Sequence, residues 1–255
     1  MTMEKRNANW TEEELILAYN LYCKTPFGKI HIRNPEIIDL AKIIKRTPSA
    51  LSWKLANFAR LDPNLQKRNI SGASHGGKGE IEIWDKFHSN WEDLIFQSEM
   101  LMAKYKGLSI EDYSDIPIQE LPKVGKERDR LIKIRVNQNF FRRAILSTYN
   151  STCAITGINI SELLVASHII PWSQSIKERL NPRNGICLNA LHDKAFDRGI
   201  ISFSDDFELL ISSKVKKDPA NDLILNFKGS TLHLPKKFQP DILFLKYHRE
   251  NVFIG

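Results

Sequence analysis

The chain has 255 residues, 42% of them hydrophobic, enough for one large domain or two smaller ones with apolar cores. Its net charge of +7 and pI of about 9.2 favour a polyanionic partner without requiring one. No window approaches the ~18 apolar residues of a membrane span, MTMEKRNANW leads into no apolar run of signal-peptide length, and Cys23, Cys153 and Cys187 contain no CxxC pair, so a cytoplasmic protein without a disulfide scaffold is expected.

Trp10 to Cys23, WTEEELILAYNLYC, reads as a first helix. Thr11 can cap it, Glu14 can close a capping box, and Leu15, Leu17, Ala18, Leu21 and Tyr22 recur near the helical period. Asn34 can cap a second helix, PEIIDLAKIIK, with Pro35 in its first position; Thr47 and Pro48 repeat the arrangement ahead of SALSWKLANFARL. Two helices with so short a connection form a helix-turn-helix pair, a known DNA-reading unit. Leu51, Leu55, Phe58 and Leu61 would face the core, while Ser49, Ser52, Lys54, Asn57 and Arg60 would face solvent or a groove. The same pattern suits an ordinary all-α domain, and the sequence leaves both readings open. The Trp-Thr-x-Glu-Glu opening is similar to the start of a Myb/SANT-type repeat.

ISGASHGGKGE, residues 70–80, reads as a flexible loop with a solvated His75. Helical structure is expected again from Ile81 to Lys104, with Trp84, Phe87, Trp91, Leu94, Ile95 and Met102 turned inward. Residues 107–125, GLSIEDYSDIPIQELPKVG, hold two prolines and little apolar periodicity and read as a linker. The predicted organisation is a helical, DNA-binding domain over 1–106, that linker, and a second domain over 126–255 with a basic lead-in helix.

Between Lys123 and Arg143 stand eight Lys or Arg against two carboxylates, nearly all of the chain's excess charge. A solvated helix face is the usual fate of such a run. Its place just before the second domain's core favours phosphate contact, with Arg135, Arg142 and Arg143 as anchors, because the guanidinium fork matches phosphate oxygens. The helix is expected from about Gln138 to Tyr149.

From Cys153 onward the pattern shifts to short apolar runs between turns. ELLVASHIIPW reads as a strand ended by Pro171, NGICLN as a second strand, and ALHDKAFDRG as a short helix closed by Gly199. This order brings His168, Asn184, His192 and Asp197 within reach of one another. Asn184 before Gly185 is also an ordinary turn residue, and Trp172 reads as a lid over the core. His31, His88, His233 and His248 have no comparable company. Beyond Phe203, strands are expected at Phe207–Ile211, Leu223–Phe227 and Thr231–Leu234, then a closing helix from Pro240 to about Asn251.

CAITG, SHIIPW, NPRNGICLN and LHDKAFDRGIISF, in that order between Cys153 and Phe203, resemble the HNH endonucleases, whose core is a ββα-metal finger. WTEEELILAYNLYCKTPFGKIHIRNPEI is similar to a helical domain found ahead of such nucleases in bacteria. The resemblance implies an α+β protein: an N-terminal all-α, helix-turn-helix-like domain, then a ββα-metal nuclease domain with extra strands. It implies a metal-dependent endonuclease acting on double-stranded DNA, in restriction or phage defence by analogy. His168 takes the general-base position, Asn184 that of the central Asn that ties down the loop, and His192 that of the metal-binding histidine. One divalent ion, Mg²⁺ or Mn²⁺, is implied. A cutter of palindromic sites would act as a homodimer.

Three departures accompany the resemblance. Ser167 stands where many relatives place an Asp or His ligand. Phe196 stands where others carry a second ligand; the remaining candidates are Asp193 and Asp197, the latter about 140° from His192 on an ideal helix, so that ligation needs a frayed helix end. Asp197 could instead pair with Arg183 or Arg198. Of the zinc-knuckle cysteines of some relatives only Cys153 stands here, with Leu188 and Leu191 in later places, so apolar packing is expected instead of structural zinc. The missing ligand before His168 keeps open a second reading, a DNA-binding regulator with an inert HNH-like core.

Overall fold

The protein is described by a computed structural model over residues 8–67, 76–122 and 124–255. The chain divides into two compact units, Met1–Phe140 and Phe141–Gly255. His75 and most of the Gly/Ser-rich stretch around it lie outside the described residues, as do Lys123 and residues 1–7.

The first unit is helical. Helix α1 (Glu12–Lys24) begins with the expected capping box: Glu14 N–H donates to Thr11 Oγ1 at 3.3 Å, and Thr11 N–H to the Glu14 carboxylate at 3.0 Å. Its surroundings differ from the one-faced helix the periodicity implies. Every residue from Glu14 to Cys23 is buried, so α1 is the central rod of this unit. Polar Glu14 is tolerated there because Arg46 pairs with it at 2.8 Å, which satisfies a charge that would otherwise be costly to bury. Helices α2 (Pro35–Ile43) and α3 (Pro48–Leu61) carry the expected Asn34 and Thr47 caps. Helix α4 (Pro63–Lys67) follows, then α5 (Lys78–Phe87) and α6 (Trp91–Lys106), which make up the helical unit expected from Ile81 to Lys104. Of its predicted core residues, Trp84, Phe87, Trp91, Leu94 and Ile95 are buried and Met102 is half-buried.

The polar face of α3 meets a neighbouring helix. Lys54 and Asn57 share a partner within this unit: Lys54 Nζ lies 2.6 Å from Glu80 Oε1, and Asn57 Nδ2 donates to the same oxygen at 2.7 Å. Glu80 of α5 is itself buried, and these partners hold its carboxyl below the usual range against the opposing effect of burial. Ser52 is half-buried as well. Ser49 remains exposed, as does Trp53, at 61%. A pattern of polar residues on a helix does not reveal that a neighbouring helix brings a carboxylate to meet them.

The segment expected as a linker contains helix α7 (Ile110–Tyr113), capped by Ser109 and followed by buried Ile116. Arg128 ties this stretch down by donating to Pro122 O at 3.0 Å and to Glu111 at 2.6 Å. The division between the units falls instead inside helix α8 (Lys126–Thr148), which starts well before Gln138. Buried Ile132, Val136 and Phe140 recur every fourth residue, an apolar stripe that the dense charge of this stretch conceals.

The second unit holds two small antiparallel sheets. Strands β1 (Leu164–His168) and β2 (Gly185–Asn189) pair with Leu164 opposite Asn189 and His168 opposite Gly185. Helix α9 (Ala190–Asp197) follows directly and packs on both strands. Strands β3 (Ile201–Phe203) and β4 (Leu209–Ile211) form the other sheet. Phe207, expected to open a strand, has φ of 62°, which is incompatible with extended pairing. Leu223–Phe227 is not a strand: helix α10 (Asp222–Leu225) occupies it, with Leu223 69% exposed. Thr231–Leu234 contributes one isolated bridge, Glu208 to Thr231. Helix α11 (Ile242–Asn251) closes the unit.

The end of the chain secures α9. His248 of α11 is buried, stacks on Phe196 at 3.8 Å, donates from Nε2 to Phe196 O at 3.1 Å, and accepts at Nδ1 from the Ser202 hydroxyl at 2.9 Å. Gly199 ends α9 with φ of 66°, and a Cβ there would lie 2.0 Å from Val252 O, so only glycine admits the C-terminal segment. Burial pushes the His248 imidazole down to about 4, against about 6.5 for an unperturbed histidine. The unfolded chain therefore binds the extra proton first as pH falls. This contribution to stability is complete above about pH 6.5 and is lost progressively toward pH 4, by up to ~3 kcal/mol. Urea unfolding of the parent and of His248→Phe between pH 7 and 4 should show a steeper acid loss in the parent; parallel curves would contradict it.

Candidate active site

β1 delivers His168 at its last position, where three groups fix the ring. Phe141 of α8 stacks on it at 3.9 Å with planes 10° apart, Trp172 meets it edge-on at 5.4 Å, and Nε2 lies 2.8 Å from Arg179 O. A carbonyl only accepts, so Nε2 carries the hydrogen and Nδ1 of the neutral ring is left as the basic nitrogen. Burial lowers the pKa of His168, partly opposed by that same carbonyl bond. The ring is therefore neutral at pH 7. A Cβ on its cross-strand partner, Gly185, would lie 2.4 Å from Ile145 Cδ1 and 2.8 Å from Phe141 Cζ, both on α8, and would force these side chains to shift.

Asn184 is fully buried just before β2. Its Oδ1 accepts from Ile170 N at 2.8 Å, its Nδ2 donates to Ile170 O at 3.1 Å, and its own carbonyl accepts from Ile169 N at 3.0 Å. The chain leaving His168 is thus laced to the chain entering β2 by one side chain.

Asn189 caps α9 and orients His192. Its Oδ1 accepts from His192 N at 3.0 Å and lies 3.1 Å from His192 Nδ1. An amide oxygen accepts only, so Nδ1 carries the hydrogen and Nε2 bears the lone pair. That Nε2 is buried without a hydrogen-bond partner, and burial lowers the pKa of the ring. Asn189 is held in turn by Cys153 Sγ, which accepts from its N–H at 3.3 Å, and by Thr156. Of the two residues expected to pack where relatives have zinc-knuckle cysteines, Leu188 is buried but Leu191 is 45% exposed.

Asp193 and Asp197 lie one turn apart on α9. Burial raises both, the charge of Asp193 raises Asp197 further, and Lys194 opposes each rise. Ser167 Oγ is buried and near enough to Asp193 to lower it, although no hydrogen bond of ordinary geometry joins them. Arg183 pairs with Asp241 at 3.1 Å rather than with Asp197. Among the described residues no three His, Cys, Asp or Glu side chains converge as a ready-made metal cluster. The donor types still suit a divalent cation: His192 presents an orphaned imidazole nitrogen, and the same helix carries Asp193 and Asp197, although α9 stays helical as far as Asp197 and so lacks the frayed end that ligation by Asp197 was expected to need.

Arg142 braces the approach to β1, donating to Leu164 O at 2.8 Å and Ser161 O at 3.3 Å. Arg135, Arg142 and Arg143 are all exposed on α8. Ser49, Ser52, Lys54 and Asn57 belong to the first unit. Sequence reasoning missed Phe141, the Arg179 carbonyl and Asn189. Only Asn189 left a readable signal, as an N-cap residue three positions before His192.

The sequence model of a family described as HNH endonuclease matches residues 153–204. No curated protein matches the chain. The matched span covers β1, β2, α9 and β3; α8, which stacks on His168, and α11, which holds Phe196, lie outside it. Among the described residues no helix is long and apolar enough to cross a membrane.

Proposed function

We propose that this chain, which carries an HNH endonuclease domain at residues 153–204, is a divalent-metal-dependent endonuclease that hydrolyses phosphodiester bonds of double-stranded DNA. The observation that carries the reading is a pair of neutral histidines of opposite tautomer: His168 held at Nε2 with Nδ1 left basic, His192 held at Nδ1 with a buried Nε2 left open. The first suits a base, the second a ligand. His168 Nδ1 takes a proton from the attacking water. Asn184 keeps the loop after His168 in place. His192, with a carboxylate of Asp193 or Asp197, would hold the ion, which when bound supplies charge neutralisation at the phosphate and the leaving oxygen. Arg135 and Arg143 make phosphate contacts that position the duplex without reading its sequence. A role in restriction or phage defence follows by analogy with the family alone.

Ser167 supports a second reading, a DNA-binding regulator whose core does not cut, because a hydroxyl replaces a ligand beside the base. Incubation of supercoiled plasmid with the purified chain and Mg²⁺ or Mn²⁺ separates the two. Nicked or linear product, abolished by EDTA, is expected. Methylated, hydroxymethylated and unmodified plasmid, run side by side, would report the substrate preference. Retarded but uncut DNA under every condition would favour the regulator.

A further inference from the structure

We propose that Phe141, on α8 and outside the matched span, is a positioning residue for His168: it sets the plane of the base and so the direction of Nδ1. The proposal rests on the reading of His168 as the base.

The need arises from the ring's own freedom. Rotation of a histidine about its Cβ–Cγ bond meets only a broad torsional preference. The 2.8 Å bond from Nε2 to Arg179 O fixes one atom of His168 and leaves the ring able to swing about it. A flat surface 3.9 Å away and 10° from parallel removes that swing, because any rotation drives a ring edge into the phenyl face. Trp172, edge-on at 5.4 Å, bounds the ring from another side. Gly185, opposite His168 across the sheet, leaves the space that Phe141 Cζ and Ile145 Cδ1 occupy, and a Cβ there would force them to shift. Phe141 is itself 2% exposed, so it is not free to follow a moving ring. Cross-strand register, a missing Cβ and a parallel stack thus converge on the orientation of one imidazole.

The test is Phe141→Leu in the full chain, which keeps an apolar filler and removes the plane. Cleavage kinetics, DNA affinity in EDTA, thermal melting and the proton spectrum of the His168 ring are measured together. We expect kcat to fall ~10–100-fold, since misplacing a reacting group by about 1 Å costs on the order of 10². KM and DNA affinity should stay within about threefold. The His168 ring protons, shifted upfield by the phenyl ring current in the parent, should move toward ordinary positions. Ile145→Val, a packing change at the same face, should keep kcat within about threefold. A Phe141→Leu chain that cuts within threefold of the parent, or whose loss lies in KM, would reduce Phe141 to core packing. His168→Ala separates the two failures: if that variant still cuts, the base assignment is at fault rather than the positioning. Should Leu unfold the unit, Phe141→Met serves the same comparison. An unshifted His168 ring in the parent overturns the stack with no variant needed.

Discussion

His168→Ala should lower the cleavage rate ~10²–10⁴-fold, the range expected when a general base is lost. Binding of DNA should be nearly unchanged, because the base acts only in the chemical step. The structure adds a cost that the sequence does not reveal. The substitution leaves Arg179 O without its donor and Phe141 without its stacking partner, so the melting temperature should fall modestly, and rates should be compared well below it. The pH profile of the parent gives an independent check. A base works deprotonated, so the rate rises with pH through its pKa, which burial sets below the ordinary value of about 6.5. The acid limb should therefore lie below pH 6.5. A variant cutting within threefold of the parent would assign water activation to another residue.

His192→Ala should abolish metal-dependent cleavage and weaken Mn²⁺ binding together. Asn189 supplies a graded companion. It holds His192 in the tautomer that leaves Nε2 open, and loss of such an outer partner typically costs ~10–100-fold in metal affinity. Asn189→Ala should fall in that range and His192→Ala beyond it. Because Asn189 also caps α9, its removal carries a stability cost of ~1 kcal/mol, read separately by melting. Asp193→Asn and Asp197→Asn divide the carboxylate role: whichever ligates should lose Mn²⁺ affinity, measured by isothermal titration or by the electron paramagnetic resonance of free Mn²⁺. Unchanged Mn²⁺ affinity in His192→Ala would remove the histidine from the ligand set.

What the sequence determined was local. Thr11, Asn34 and Thr47 mark helix starts because a capping side chain bonds backbone within three residues of itself, and all three caps form. SHIIPW, NGICLN and LHDKAFDRG specify strand, strand and helix in close succession, and the chain between them is short enough that His168, Asn184 and His192 land on adjoining elements. The strand expected at Leu223–Phe227 gave way to α10, because β preference is realised only against a partner and no pairing of this segment forms among the described residues. Tertiary structure decided everything that depends on what a side chain meets from elsewhere in the chain. Glu80 arrives from α5 to bond both Lys54 and Asn57. Arg142 spends its fork on two carbonyls near β1. A carbonyl from Arg179 selects the tautomer of His168, while an aromatic face from α8 holds its plane. Such partners are close in space and distant in sequence, and a backbone carbonyl is present at every residue, so neither periodicity nor motif spacing could single them out. The candidate residues are legible in the chain; the partners that set the tautomer and plane of their rings come from the fold.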